Sequence, residues 1–260
     1  MSNTDERKGI SLPQRTGYLI RIKAVSRALD DAVFLTLDRP NVPPGAAPTR
    51  ELIDWAVKVY CFSVLSHFRE LLRSFLYVTE SGHIPAAFVI ARCLFEMGAN
   101  SHYVHKHVMQ YLASEDLAAA WEFLSEINMG SRYMRERPDD LEISEFPEPR
   151  DVAKVVRCFN EWSKQDMVST YSYLSEFSHS DMAAYSHYYE FKLDEQNQAK
   201  FTFVAPPRDP LMAPLPEVSM SVTALLNFVR KLLVQTGENT VAAIISGALR
   251  EFIEETQEKT

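Results

Sequence analysis

Glycine is scarce, with eight in 260 residues. Few positions can therefore call for a left-handed backbone, which argues against an all-β chain of many tight turns and for long helices. Cysteine is scarcer still. Cys61, Cys93 and Cys158 lie far apart with no C-x-x-C spacing, which gives no basis for a disulfide framework or a cysteine zinc site. All three fall within apolar helical patterns and are expected to be buried free thiols of a reducing compartment. No apolar run approaches the length of a membrane-spanning helix, and MSNTDERKG has no signal-like apolar stretch. A soluble cytoplasmic protein without membrane association is expected. A basic excess is missing too: the net charge is −8, against an extensive nucleic-acid footprint. Arg15, Arg21, Lys23 and Arg27 do gather early in the chain, as a solvated helix face or a local basic patch.

What is present is an ordinary globular composition, 46% hydrophobic and 11% aromatic. A chain of this length buries about 70–75% of its unfolded surface without a disulfide or metal staple. The organisation expected is a polar, mobile segment over 1–16 and a single helical domain over 17–257. Its fold class is all-α, a bundle with long central helices and one small β-hairpin near 185–204.

The elements follow from period and punctuation. Leu19, Ile22, Val25, Leu29 and Val33 make a helical stripe that ends before Pro40. NVPPGAAP, 41–48, is a connector. Thr49 caps a long helix to about Glu80, Ser81-Gly82 stops it, and Pro85 suits the first turn of a third helix over 84–112. Ser114 is placed as the cap of a fourth helix reaching about Arg137. An acidic, proline-broken loop covers 135–151, and helices resume over 150–164 and 168–180. Alternation from Tyr185 to Leu193, with LDEQNQ as a turn and FTFV as a return, reads as the hairpin, with an extended loop as the alternative. After five prolines in 205–216, a last helical region over 216–257 is split or kinked at Gly237.

The third helix carries the chemistry of interest. AAFVIARCLFEMGA is apolar on nearly every side, the mark of a helix at a bundle centre, yet it holds Arg92 and Glu96. At about 100° per residue, Arg92, Glu96, Ala99, Tyr103 and Gln110 share a stripe flanked by His107. Buried charges must be paired or used. The plain reading is an Arg–Glu pair that bonds neighbouring helices, with Tyr103 as a link. In YSYLSEFSHSD, Tyr171, Ser175 and His179 fall at i, i+4 and i+8 on one helix face. His179 would serve as a general acid or base oriented by Ser175 or Asp181, or simply as a helix-terminal histidine on the dipole. There is no G-x-S-x-G elbow for a serine nucleophile.

His102, His105 and His107 lack metal geometry, since His107 lies well round the helix and no H-E-x-x-H or cysteine pair accompanies them. They read as a solvated or interface cluster. No metal site is expected, nor any cofactor, as there is no Walker loop and no dinucleotide fingerprint.

The pattern Arg92-x-x-x-Glu96 with Tyr171-x-x-x-Ser175-x-x-x-His179 resembles a family of bacterial helical proteins of unknown function, over about residues 50–250. That resemblance implies an all-α fold and a shared cluster of Arg92, Glu96, Tyr171, Ser175 and His179, and supplies no activity. A looser likeness is to the helical ribonucleases of prokaryotic toxin and defence systems, the HEPN domains. Those carry an Arg and a His four to six residues apart near a helix end. Here Leu174, Ser175, Glu176 and Phe177 precede His179 without an arginine, so Arg92 would have to substitute from another helix.

Three functions are consistent with these residues. The first is a binding module in which Arg92, Glu96, Tyr103, Tyr171, Ser175 and His179 hold a small anionic ligand or partner. The second is a metal-independent hydrolase or HEPN-like ribonuclease, with His179 as acid/base and Arg92 stabilising charge. The third is a structural or assembly protein whose cluster fixes helix packing, its C-terminal helix forming a homodimer.

Overall fold

The computed structural model describes residues 11–30, 37–43, 45–129, 151–178, 189–193, 199–204 and 208–257. Among them the helices are α1 (Leu12–Asp30), α2 (Arg50–Glu80), α3 (Ile84–Ala113), α4 (Leu117–Met129), α5 (Val152–Ser163), α6 (Met167–Ser178), α7 (Leu215–Gln235) and α8 (Asn239–Gln257). A two-stranded antiparallel ribbon, β1 (Tyr189–Leu193) and β2 (Ala199–Phe203), pairs Phe191 with Phe201, and a 3-10 turn spans Pro210–Met212. The fold is an all-α bundle, and the hairpin replaces the extended-loop alternative.

Local chemistry explains the boundaries. The Thr49 hydroxyl accepts the Leu52 amide and starts α2. Pro85 occupies the first turn of α3, where its missing N–H costs nothing. Gly237, at φ +74°, turns the chain between α7 and α8, so the split expected there is real. Three boundaries differ from expectation. α1 begins at Leu12, so the end of the 1–16 segment is helical. Ser114 ends α3 rather than starting α4: its amide returns to the Gln110 carbonyl, and the Asp116 carboxylate caps α4 by accepting from Ala119. α4 is described as far as Met129, and the rest of the stretch expected to reach Arg137 lies outside the described residues.

α3 lies at the centre and packs on α2, α4, α5, α6 and α7, while α1 and α8 pack on one another and on α7. Phe68, Phe75, Leu94, Phe95, Phe159 and Phe228 are fully or almost fully buried in one continuous core. α3 crosses α7 closely at Gly98. A Cβ at Gly98 would stand 3.1 Å from the Ser221 carbonyl oxygen, so a larger residue there would push the two backbones apart by a few tenths of an ångström.

Of the early basic residues Arg27 is solvated, as expected, whereas the other three are engaged. Arg21 is buried, with its guanidinium over the rings of Tyr18 and Phe252, and Lys23 pairs with Glu80 at 2.6 Å. Arg15 donates to the Leu211 carbonyl. Each joins α1 to a neighbour in sequence-distant chain.

Candidate functional site

α6 runs antiparallel along α3. Tyr171 meets Phe95 and Arg92, while Tyr173 and Phe177, further along α6, meet Phe88 at an earlier turn of α3. The aromatic pairs set the helix spacing, and the polar groups face each other across it. Arg92 Nε donates to Glu96 Oε1 at 3.0 Å, the reach of an i,i+4 pair, and Arg92 Nη2 donates to Tyr171 Oη at 3.1 Å. The guanidinium also stands 5.4 Å from the Tyr171 ring centroid. The Arg92 and Glu96 side chains retain 22% and 31% of their exposure, which places them at the boundary of the core. Although burial alone would lower the Arg92 pKa, its bonds and attraction to Tyr171 and Glu96 prevail and raise it, so it stays cationic.

One turn beyond Tyr171, Ser175 turns its hydroxyl inward. Its Oγ is sealed from solvent and has no hydrogen-bond partner. A helical serine ordinarily finds a carbonyl or water, so this orphan is costly where it stands. His179 and Asp181 lie outside the described residues.

Tyr103 shares the azimuth of Arg92 but not its surroundings. Eleven residues on, it stands roughly 16 Å further along the axis. There α4 has replaced α6 as the neighbour, and Tyr103 packs against His107 and Phe123 at ring separations of 4.3 and 6.1 Å. It belongs to an aromatic layer of α3 and α4, not to the Arg92 cluster.

Beside the cluster is a groove of about 380 Å³ between α2, α3 and α5, lined by His67, Leu71, Cys93, Glu96, Met97, Asn100, Val152 and Val155. Glu96 thus has the Arg92 guanidinium on one side and the groove on the other. The groove also explains a missed expectation. Cys93 is exposed, unlike buried Cys61 and Cys158, because it points into this gap. Its thiol pKa is raised, by partial burial first and then by the Glu96 charge, with Arg92 opposing.

The histidines of α3 are not a solvated cluster. His102 is buried against Phe159, Trp162 and Phe228, with its Nδ1 3.9 Å from Cys158 Sγ. His105 also packs on Phe228, with ring centroids 5.2 Å apart. Burial is the main cause lowering both pKa values to about 4; for His102, His105, Lys106, His107 and Lys231 add to it, and for His105, Lys231 does. Both rings are therefore neutral at pH 7. No group of three or more His, Cys, Asp or Glu side chains among the described residues is arranged to hold a metal ion.

No described helix is long and apolar enough to cross a membrane. Comparison with protein-family models, with curated proteins and with solved structures gives no match. The chemistry of the site must carry its own interpretation.

Proposed function

We propose that the protein is a cytoplasmic binding module that holds a small anionic ligand at Arg92, with Tyr171 and Ser175 as hydroxyl partners and Glu96 as the internal counter-ion. One observation carries this reading. A permanently charged guanidinium is fixed from two helices at the solvent boundary, while one turn along the facing helix a sealed serine hydroxyl is left without a partner. Thr79 Oγ1 in the core of α2 is likewise without a partner, so what distinguishes Ser175 is its place one turn from a fixed cation, where a ligand can supply the missing bond. Cationic and hydroxyl donors suit a carboxylate or a phosphate.

A packing role is the rival, because the Arg92 bond to Tyr171 joins α3 to α6. Calorimetric titration with inorganic phosphate and with short-chain carboxylates, at fixed ionic strength, separates the two. Saturable binding to the native protein that disappears in a folded Arg92→Met variant supports the site. Equal responses in both proteins sink it, and so does the absence of saturable binding by any anion tested.

A further inference from the structure

A different part of the molecule brings two tryptophans and a cation together. α2 and α4 lie side by side, with the Asn128 side chain donating to the Ala56 carbonyl where they meet. Trp55 on α2 and Trp121 on α4 flank a mainly apolar cleft of about 260 Å³, completed by Ala56, Val59 and Leu124, with Ser125 and Asn128 at its edge. The segment entering α2 runs across it. The Trp55 indole N–H donates to the Leu37 carbonyl at 3.3 Å, which fixes this segment two residues before Arg39. Arg39 reaches the cleft, its Cζ 5.8 Å from the Trp55 centroid and 5.9 Å from the Trp121 centroid. Its guanidinium thus faces both indoles within the range of cation–π attraction.

We propose that this cleft is a binding site for a small organic cation of the quaternary-ammonium class, and that Arg39 is its internal competitor. Among the described residues, no Asp or Glu lines the cleft. A cation bound there is held by π faces and apolar contact rather than by an ion pair. That favours a cation whose charge is spread over methyl groups and which has no N–H to leave unpaired. It disfavours a primary ammonium or a metal ion, whose hydration the cleft cannot replace. The volume falls below the range usual for drug-sized ligands, so a headgroup-sized ligand fits. Because Arg39 already occupies the aromatic faces, a ligand must displace it, and its apparent affinity is reduced by the fraction of time Arg39 is in place. The site does not depend on the Arg92 cluster, which involves α3, α5 and α6.

The full chain carrying Trp162→Phe, so that fluorescence reports Trp55 and Trp121 alone, is titrated with choline and with its uncharged isostere 3,3-dimethyl-1-butanol at constant ionic strength. The expected result is a saturable fluorescence change with choline, at least about threefold weaker with the isostere. Arg39→Ala tightens choline binding several-fold. Trp121→Leu abolishes the response, while Trp121→Phe retains part of it, which separates loss of a π face from loss of fold. Equal responses to choline and the isostere would show an apolar cleft without cation selectivity and overturn the proposal. So would the absence of saturable binding in both the Trp162→Phe parent and its Arg39→Ala derivative, with Arg39→Ala only lowering the melting temperature; Arg39 would then be a clasp for the segment before α2.

Discussion

The two halves of α3 face the same difficulty, a titratable side chain in a mostly buried helix, and resolve it oppositely. Near its start Arg92 keeps its charge, with Glu96, Tyr171 and remaining solvent contact as compensation. Ten residues on, His102 gives its charge up: rings enclose it, Lys106 and Lys231 disfavour a further positive charge, and it is neutral at pH 7. The difference is one of neighbours. α6 offers Arg92 a phenol hydroxyl, whereas α5 and α7 offer His102 aromatic faces and a thiol. A charged half should be sensitive to partners and a neutral half to packing and protons.

The sharpest test is on the packing side. Phe228 is buried and touches His102, His105 and Trp162 with its ring. Phe228→Ala should cost about 3–5 kcal/mol, lowering the melting temperature by roughly 10 °C. Chemical denaturation showing less than about 1 kcal/mol would mean that the aromatic layer is loosely packed and does not define the histidines' environment.

Protons should act on the same half. His102 and His105 have folded-state pKa values lowered from 6.5 to about 4. Between those values the unfolded chain binds more protons than the folded one, so stability falls as pH falls. The contribution is fully present above pH 6.5, declines through the interval and levels off below about 4. Discounted for the partial exposure of His105, the loss is roughly 3 kcal/mol for the pair. Urea denaturation from pH 7 to pH 4 measures it, and His102→Gln/His105→Gln should flatten the profile. An unchanged slope in that variant would assign the acid sensitivity to other groups.

The charged half should yield less. Arg92→Ala removes the hydrogen bonds to Glu96 and Tyr171 and a cation–π contact, but Glu96 and Tyr171 can take up water at the boundary, so the expected loss is about 1–2 kcal/mol. A loss equal to that of Phe228→Ala would erase the contrast between the halves and make Arg92 a structural keystone.

Much of this was legible in the chain, and the limits are physical. Thr49, Pro85 and Gly237 act through neighbours a few residues away, so local pattern located them. Arg92 and Glu96 announced themselves as charges in an apolar helix, and Tyr171 by its place on a polar face. Tyr103 misled because period gives azimuth but not which helix lies opposite at that height. Gly98 shows its purpose only once Ser221 is known to cross it, and Arg39, Trp55 and Trp121 meet only when three separate segments assemble. Ser114 and Asp116 are both plausible caps, and it took the backbone to assign one to each helix.

The smallest effect carries the most information about purpose. If Ser175 Oγ is sealed and unpartnered, replacing it removes an unsatisfied polar group and leaves a residue of higher helix propensity. Ser175→Ala should therefore stabilise the protein, by roughly 0.5–1.5 kcal/mol, whereas most substitutions at a packed position destabilise. Under the binding reading the same change weakens anion binding at Arg92, because the ligand loses a hydroxyl partner. Stability rising while affinity falls is the signature of a residue kept for its ligand. A destabilised Ser175→Ala would instead show that the hydroxyl has a partner in solution, and the polar cluster would then be a satisfied network that holds α3 against α6.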